Sequence, residues 1–151
     1  MSGQRTPFSF LALIAAVVLV GGLTPAMASD GDSTNGHGTF STGGSAVTNF
    51  VFDAKVTGSS AITGRARFFE SGGIDIDIVV TCLTISGNTA IIGGTDADDS
   101  SVTYAFKVTD NGGGSPADRI TLPQVNQVCS TFNTLGNFAL TSGDIEVNDQ
   151  P

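Results

Sequence analysis

From residue 47 onward, apolar and polar side chains alternate with a period of two. In 47–57, Phe50, Phe52, Ala54 and Val56 share one face, and Asn49, Asp53 and Lys55 share the other. In 61–70, Ile62, Ala66 and Phe68 oppose Arg65 and Arg67. In 74–85, Ile74, Ile76, Ile78, Val80 and Cys82 fall together, opposite Asp75 and Asp77. In 101–109, Val102, Tyr104, Phe106 and Val108 oppose Thr103, Lys107 and Thr109. Successive strand side chains point to opposite faces, so each segment predicts a half-buried strand with one wet face. No segment after residue 28 keeps a helical apolar period for three turns.

Turn residues separate these runs. Ser86-Gly87-Asn88 predicts a tight hairpin, Asp96–Ser100 a polar turn, and Asp110–Pro116 a long glycine-rich turn. Further strands are expected near Gly38–Thr42, Asp118–Val125 and Asn137–Val147, the last bending at Ser142-Gly143. The stretch 126–136 breaks the alternation and predicts a loop or one helical turn. About eight short strands joined by short turns predict an all-β fold, an antiparallel up-and-down β-barrel, with a β-sandwich as the alternative. Closure would pair a C-terminal strand with an N-terminal one and so remove the exposed edges.

The first 28 residues have a different character. Arg5 precedes an apolar run from Phe8 to Val20, helix breakers follow at Gly21, Gly22 and Pro25, and Ala26-Met27-Ala28 is a small-x-small cleavage motif. This predicts a signal peptide over 1–28, with Ser29 as the mature N-terminus and a secreted, periplasmic or envelope location. Residues 29–37 hold no apolar side chain and are expected as a flexible arm, ahead of a single β-domain over 38–151. Cys82 and Cys129 are the only cysteines, so an exported chain is expected to join them. Because Cys82 continues an apolar face, the bridge is expected near the core, pinning a loop over one barrel mouth.

Composition narrows the function. The 14 acidic residues outnumber the 6 basic ones, a net charge of −8, which disfavours nucleic acid and anionic surfaces as partners. No stable membrane insertion is expected, since the apolar run is short for a span and no basic cluster follows it. His37 is the single histidine and lies between glycines, and no G-x-S-x-G elbow occurs, so no enzymatic activity is predicted. Asp75 and Asp77 project to one face, where Arg65 and Arg67 are their expected partners. Calcium is the candidate cofactor: hard oxygen ligands crowd two turns, Asp96, Asp98 and Asp99 in one and Asp110, Asn111 and Asp118 in the other. Asp30–Gly36 starts like a calcium loop, but its glycine comes one position late and no glutamate follows at the twelfth place. The chain has no tryptophan, and Tyr104 falls on an apolar face, which weighs against a sugar site built on exposed aromatics. A barrel lined by Phe50, Phe52, Phe68 and Phe106 is the candidate cavity for a small apolar ligand.

The motifs in Thr81–Gly94 and Val108–Leu122 carry a resemblance. A strand ends in Cys-x-x-x-Ser-Gly-Asn-x-Ala, and a later one runs Phe-x-Val-x-Asp-Asn-Gly-x-Gly before an Asp-Arg strand. From Gly38 to Val147 the chain resembles a group of small secreted bacterial β-domains of unknown function, found alone or appended to larger exported proteins. The resemblance implies export and an antiparallel β fold, and brings no activity with it. The expected role is a non-enzymatic exported binding or structural module, its partner another exported protein or a small apolar ligand.

Overall fold

The computed structural model describes residues 28–133 and 136–150. The expected signal peptide lies outside the described residues except for Ala28, which rests partly buried against the core. The strands are β1 (Ser33–Phe40), β2 (Thr48–Thr57), β3 (Ala61–Phe69), β4 (Asp75–Ser86), β5 (Thr89–Asp96), β6 (Thr103–Thr109), β7 (Arg119–Ile120), β8 (Gln124–Val125) and β9 (Phe138–Asn148). β1 to β6 are neighbours in chain order, β7 joins β6 to β9, and β9 pairs with β1, so eight antiparallel strands close a barrel. β8 is the extra strand, paired with β6 at Tyr104 and Ala105. One continuous sheet excludes the sandwich.

The interior is packed with side chains. Phe40, Phe68, Ile78, Ile92, Phe106, Val108 and Ile120 are fully buried. Phe68 meets Phe106 at 4.9 Å between ring centroids, and Phe52 meets Phe106 at 5.5 Å, both edge to face. Phe50 stacks on Phe52 and Phe68 at 6.0 and 6.3 Å. The inward faces expected for β2 and β3 are the more buried ones; on β6, Phe106 and Val108 are buried as expected, but Tyr104 is half-buried and Ala105 on the other face is buried as well.

The expected flexible arm and the expected strand at Gly38–Thr42 are both corrected. Residues 33–40 form β1, which pairs along its whole length with β2 and β9. Of its inward positions only Phe40 is apolar; at Gly36 the neighbouring strand supplies the bulk. A Cβ on Gly36 would stand 2.7 Å from the Phe52 ring. Gly38, at φ +154°, faces Gly143 across the ladder, and a Cβ there would stand 2.2 Å from the Ser142 carbonyl oxygen. The strand expected over 118–125 is also interrupted. Pro123 has no N–H to donate, and β7 and β8 lie on either side of it.

β4 changes face part-way. Its register slips between Val80 and Cys82, so a bulge at Thr81 moves the inward positions from Ile78 and Val80 to Leu83 and Ile85. Cys82 therefore points outward. It is joined to Cys129 on the outer wall, not toward the core or over a mouth. Cys82 pairs with Gly93 on β5, where a Cβ would stand 2.6 Å from the Cys82 sulfur.

Two contacts hold the ends of the barrel shut. Asp32 is 2% exposed, and its carboxylate accepts the N–H of Ser29 at 2.5 Å and of Gln150 at 2.8 Å. Between β6 and β9, only the two residues of β7 complete the ladder. Beyond them, carboxylates take over. Asp118 accepts the Ile145 N–H at 2.8 Å, and Asp110 accepts the Val147 N–H at 3.2 Å. Donors on β9 that a longer β7 would otherwise satisfy are thus satisfied by side chains.

Candidate functional site

With the interior occupied, the largest cleft among the described residues lies on the outer wall. It has a volume of about 660 Å³ and opens between the β1–β2 loop and the β3–β4 hairpin. Val47, Asn49, Arg67, Phe69, Glu70 and Asp75 line it. The hairpin is shaped by Gly72 at φ +82° and by hydrogen bonds from Gly73 N–H to the Glu70 carbonyl and from Glu70 N–H to the Ile74 carbonyl. The Thr48 hydroxyl donates to the Glu70 carboxylate at 3.2 Å, tying the two walls together.

Phe69 is the distinctive side chain. It is 44% exposed, with Val47 at 46% and Val51 at 53% on the same wall. The Arg67 guanidinium sits 5.8 Å from the Phe69 ring centroid and pairs with Asp75 at 3.2 Å. Arg65 pairs with Asp77 at 3.5 Å, so both expected Arg–Asp pairs form. Both are exposed and contribute little stability. The exposed Phe69 corrects the reading that the chain offers no aromatic platform. The signal was the Phe68-Phe69 doublet: strand alternation sends one ring in and the other out.

A smaller acidic cleft adjoins it, lined by Arg67, Asp75, Asp77, Asp96 and Asp98. Among the described residues, no group of three or more His, Cys, Asp or Glu side chains is arranged to hold a metal ion. Four of the calcium candidates, Asp96, Asp99, Asp110 and Asp118, accept hydrogen bonds from backbone N–H groups. Asp96 Oδ1 accepts the N–H groups of Asp98 and Asp99 at 2.8 and 3.1 Å. Asp99 accepts the hydroxyl and N–H of Ser101, which hold its carboxyl below the ordinary carboxylate value. Asp110 accepts Gly112 N–H at 2.7 Å. The second oxygen of Asp118 accepts Asn111 N–H at 2.8 Å, and the Asn111 amide donates to the Ala117 carbonyl.

The other expected site residues are dispersed. Phe50, Phe52, Phe68 and Phe106 do come together, but on one another, in the space a carrier would keep for its ligand. His37 is exposed on β1, opposite Val51 and Asp144. A second outer cleft, more apolar, sits beside the disulfide between Ile62, Leu83 and Val128. Among the described residues, no helix is long and apolar enough to cross a membrane. The chain matches no protein-family model, and no curated protein or solved structure matches it.

Proposed function

We propose that the protein is an exported, non-enzymatic binding module whose working surface is the Phe69 cleft. The observation that carries this reading is the exposed Phe69 ring, with Val47 in the same cleft, the largest among the described residues of a barrel whose interior is full. Exposed apolar groups gathered in a concavity rimmed by polar side chains are the usual composition of a binding site. The disulfide and the expected signal peptide support a life outside the reducing cytosol.

The test compares retention of the purified protein on an envelope fraction with that of Phe69→Ala. Phe69 is an outward side chain, so its removal leaves the core intact, and a melting curve checks this. Loss of retention in the variant supports the reading. Equal retention of the two proteins overturns it.

A further inference from the structure

We infer that the Phe69 cleft receives an uncharged oligosaccharide, an inference resting on the cleft being the binding site. The charged groups in the cleft already have partners. Arg67 pairs with Asp75 and sits on one side of the Phe69 ring, so a ligand cation would meet a cation already in place, while the ring stays 44% exposed. Glu70 takes the Thr48 hydroxyl. A ligand anion would meet Glu70 and Asp75 here and Asp77, Asp96 and Asp98 in the adjoining cleft. What remains is an exposed ring beside Val47, bordered by the planar polar ends of Asn49, Glu70, Asp75 and Arg67. A pyranose has the matching two-sided chemistry. Its C–H face is apolar and packs on a ring, while its hydroxyls both donate and accept at planar amide, carboxylate and guanidinium groups. A wholly apolar ligand would strip water from those polar groups and replace it with nothing.

Affinity electrophoresis of the purified protein tests this, with gels containing laminarin, xylan or hydroxyethyl cellulose. Polygalacturonate and chitosan serve as the anionic and cationic comparisons. At least one uncharged polymer is expected to retard the protein, with affinity weakened about tenfold or more in Phe69→Ala, weakened in Arg67→Ala, and unchanged in Val125→Ala on another part of the wall. Retardation by none of the uncharged polymers, or equal retardation of Phe69→Ala, overturns the inference. If glycans fail while envelope retention still depends on Phe69, the ligand class is wrong and the binding surface stands. If neither depends on Phe69, both readings fall.

A separate observation concerns the N-terminus. Asp32 is a buried carboxylate, and the ion pairs among the described residues, Arg65–Asp77 and Arg67–Asp75, do not reach it. The Ser29 nitrogen lies 2.5 Å from its Oδ2. Hydrolysis of the Ala28–Ser29 peptide bond by a signal peptidase, with water as co-reactant, leaves a carboxylate on Ala28 and an ammonium on Ser29. We infer that leader removal completes the fold by placing this ammonium on Asp32. The chain from Ser29 onward carries every described strand, so it is prepared with a free and with an acetylated N-terminus, both of which keep an N–H. The acetylated form is expected to melt about 4–8 °C lower, and Asp32→Asn is expected to erase the difference. Equal melting temperatures of the free and acetylated forms overturn the inference.

Discussion

Asp118 offers the sharpest test of how the barrel is closed. It is 5% exposed, and each carboxylate oxygen accepts one backbone N–H, from Asn111 and from Ile145, both at 2.8 Å. A hydrogen bond to a charged group contributes about 1.5–3 kcal/mol. Asp118→Ala removes both and leaves two enclosed donors, so it is expected to cost about 3–5 kcal/mol. That is a large share of the roughly 5–15 kcal/mol that holds a domain together. Asp118→Asn separates chemistry from shape. The amide keeps the volume but turns one acceptor into a donor facing an N–H, at a cost of about 1–3 kcal/mol. Urea unfolding of the oxidised protein, followed by far-UV circular dichroism, reads both values. The midpoint of Asp118→Ala should fall by about 2 M. Asp98→Asn, on an exposed turn, should stay within about 0.5 kcal/mol of the parent protein. Amide exchange at Ile145 should accelerate in Asp118→Ala. A parental midpoint for Asp118→Asn would refute the view that its carboxylate closes the seam.

Reduction of Cys82–Cys129, or replacement of both by serine, should cost about 4 kcal/mol, read by urea unfolding with and without reductant, because the bridge spans 47 residues of chain. Gly93→Ala should lower stability by about 1–3 kcal/mol in thermal melts, since its methyl would press on the Cys82 sulfur. Phe68→Ala should cost about 3–5 kcal/mol, while Phe69→Ala, one residue on, should leave the melting temperature close to the parent's. Because Ser101 holds the Asp99 carboxyl low, its contribution to the turn is present at neutral pH and is lost as pH falls through the carboxylate range. An NMR titration of Ser101→Ala should return Asp99 toward the ordinary value.

The β2 and β3 faces were legible because each strand alternates cleanly along its length. β4 was not, since Val79-Val80-Thr81-Cys82-Leu83 allows an apolar face at either parity. Only pairing with Gly93 and Gly94 shows where the extra residue sits. The first half of β1, before the strand expected at Gly38–Thr42, escaped notice for a cross-strand reason. Its inward Thr34 and Gly36 are small, and the bulk beside Gly36 belongs to Phe52 on the next strand. The acidic turns carry residues that suit both calcium and turn geometry. Which use prevails depends on where Ile145 and Val147 present their N–H groups, a long-range fact that local spacing does not contain. The Phe69 platform was within reach, because a Phe-Phe doublet in a strand must expose one ring.

The pairing of β1 with β9 also sets an order of assembly. Ser33 lies opposite Asn148, so the first strand of the domain waits for the last. A chain emerging from a ribosome or a translocation pore can zip β1 to β6 as successive hairpins, but the ring stays open until β9 arrives. Contacts this distant in sequence slow folding, since the ends must meet before their pairing is rewarded. A chain that stops before Phe138 would leave the outer flank of β1 without a partner from Ser33 to Phe40. β9 thus acts as a latch: only a chain that already includes it can close.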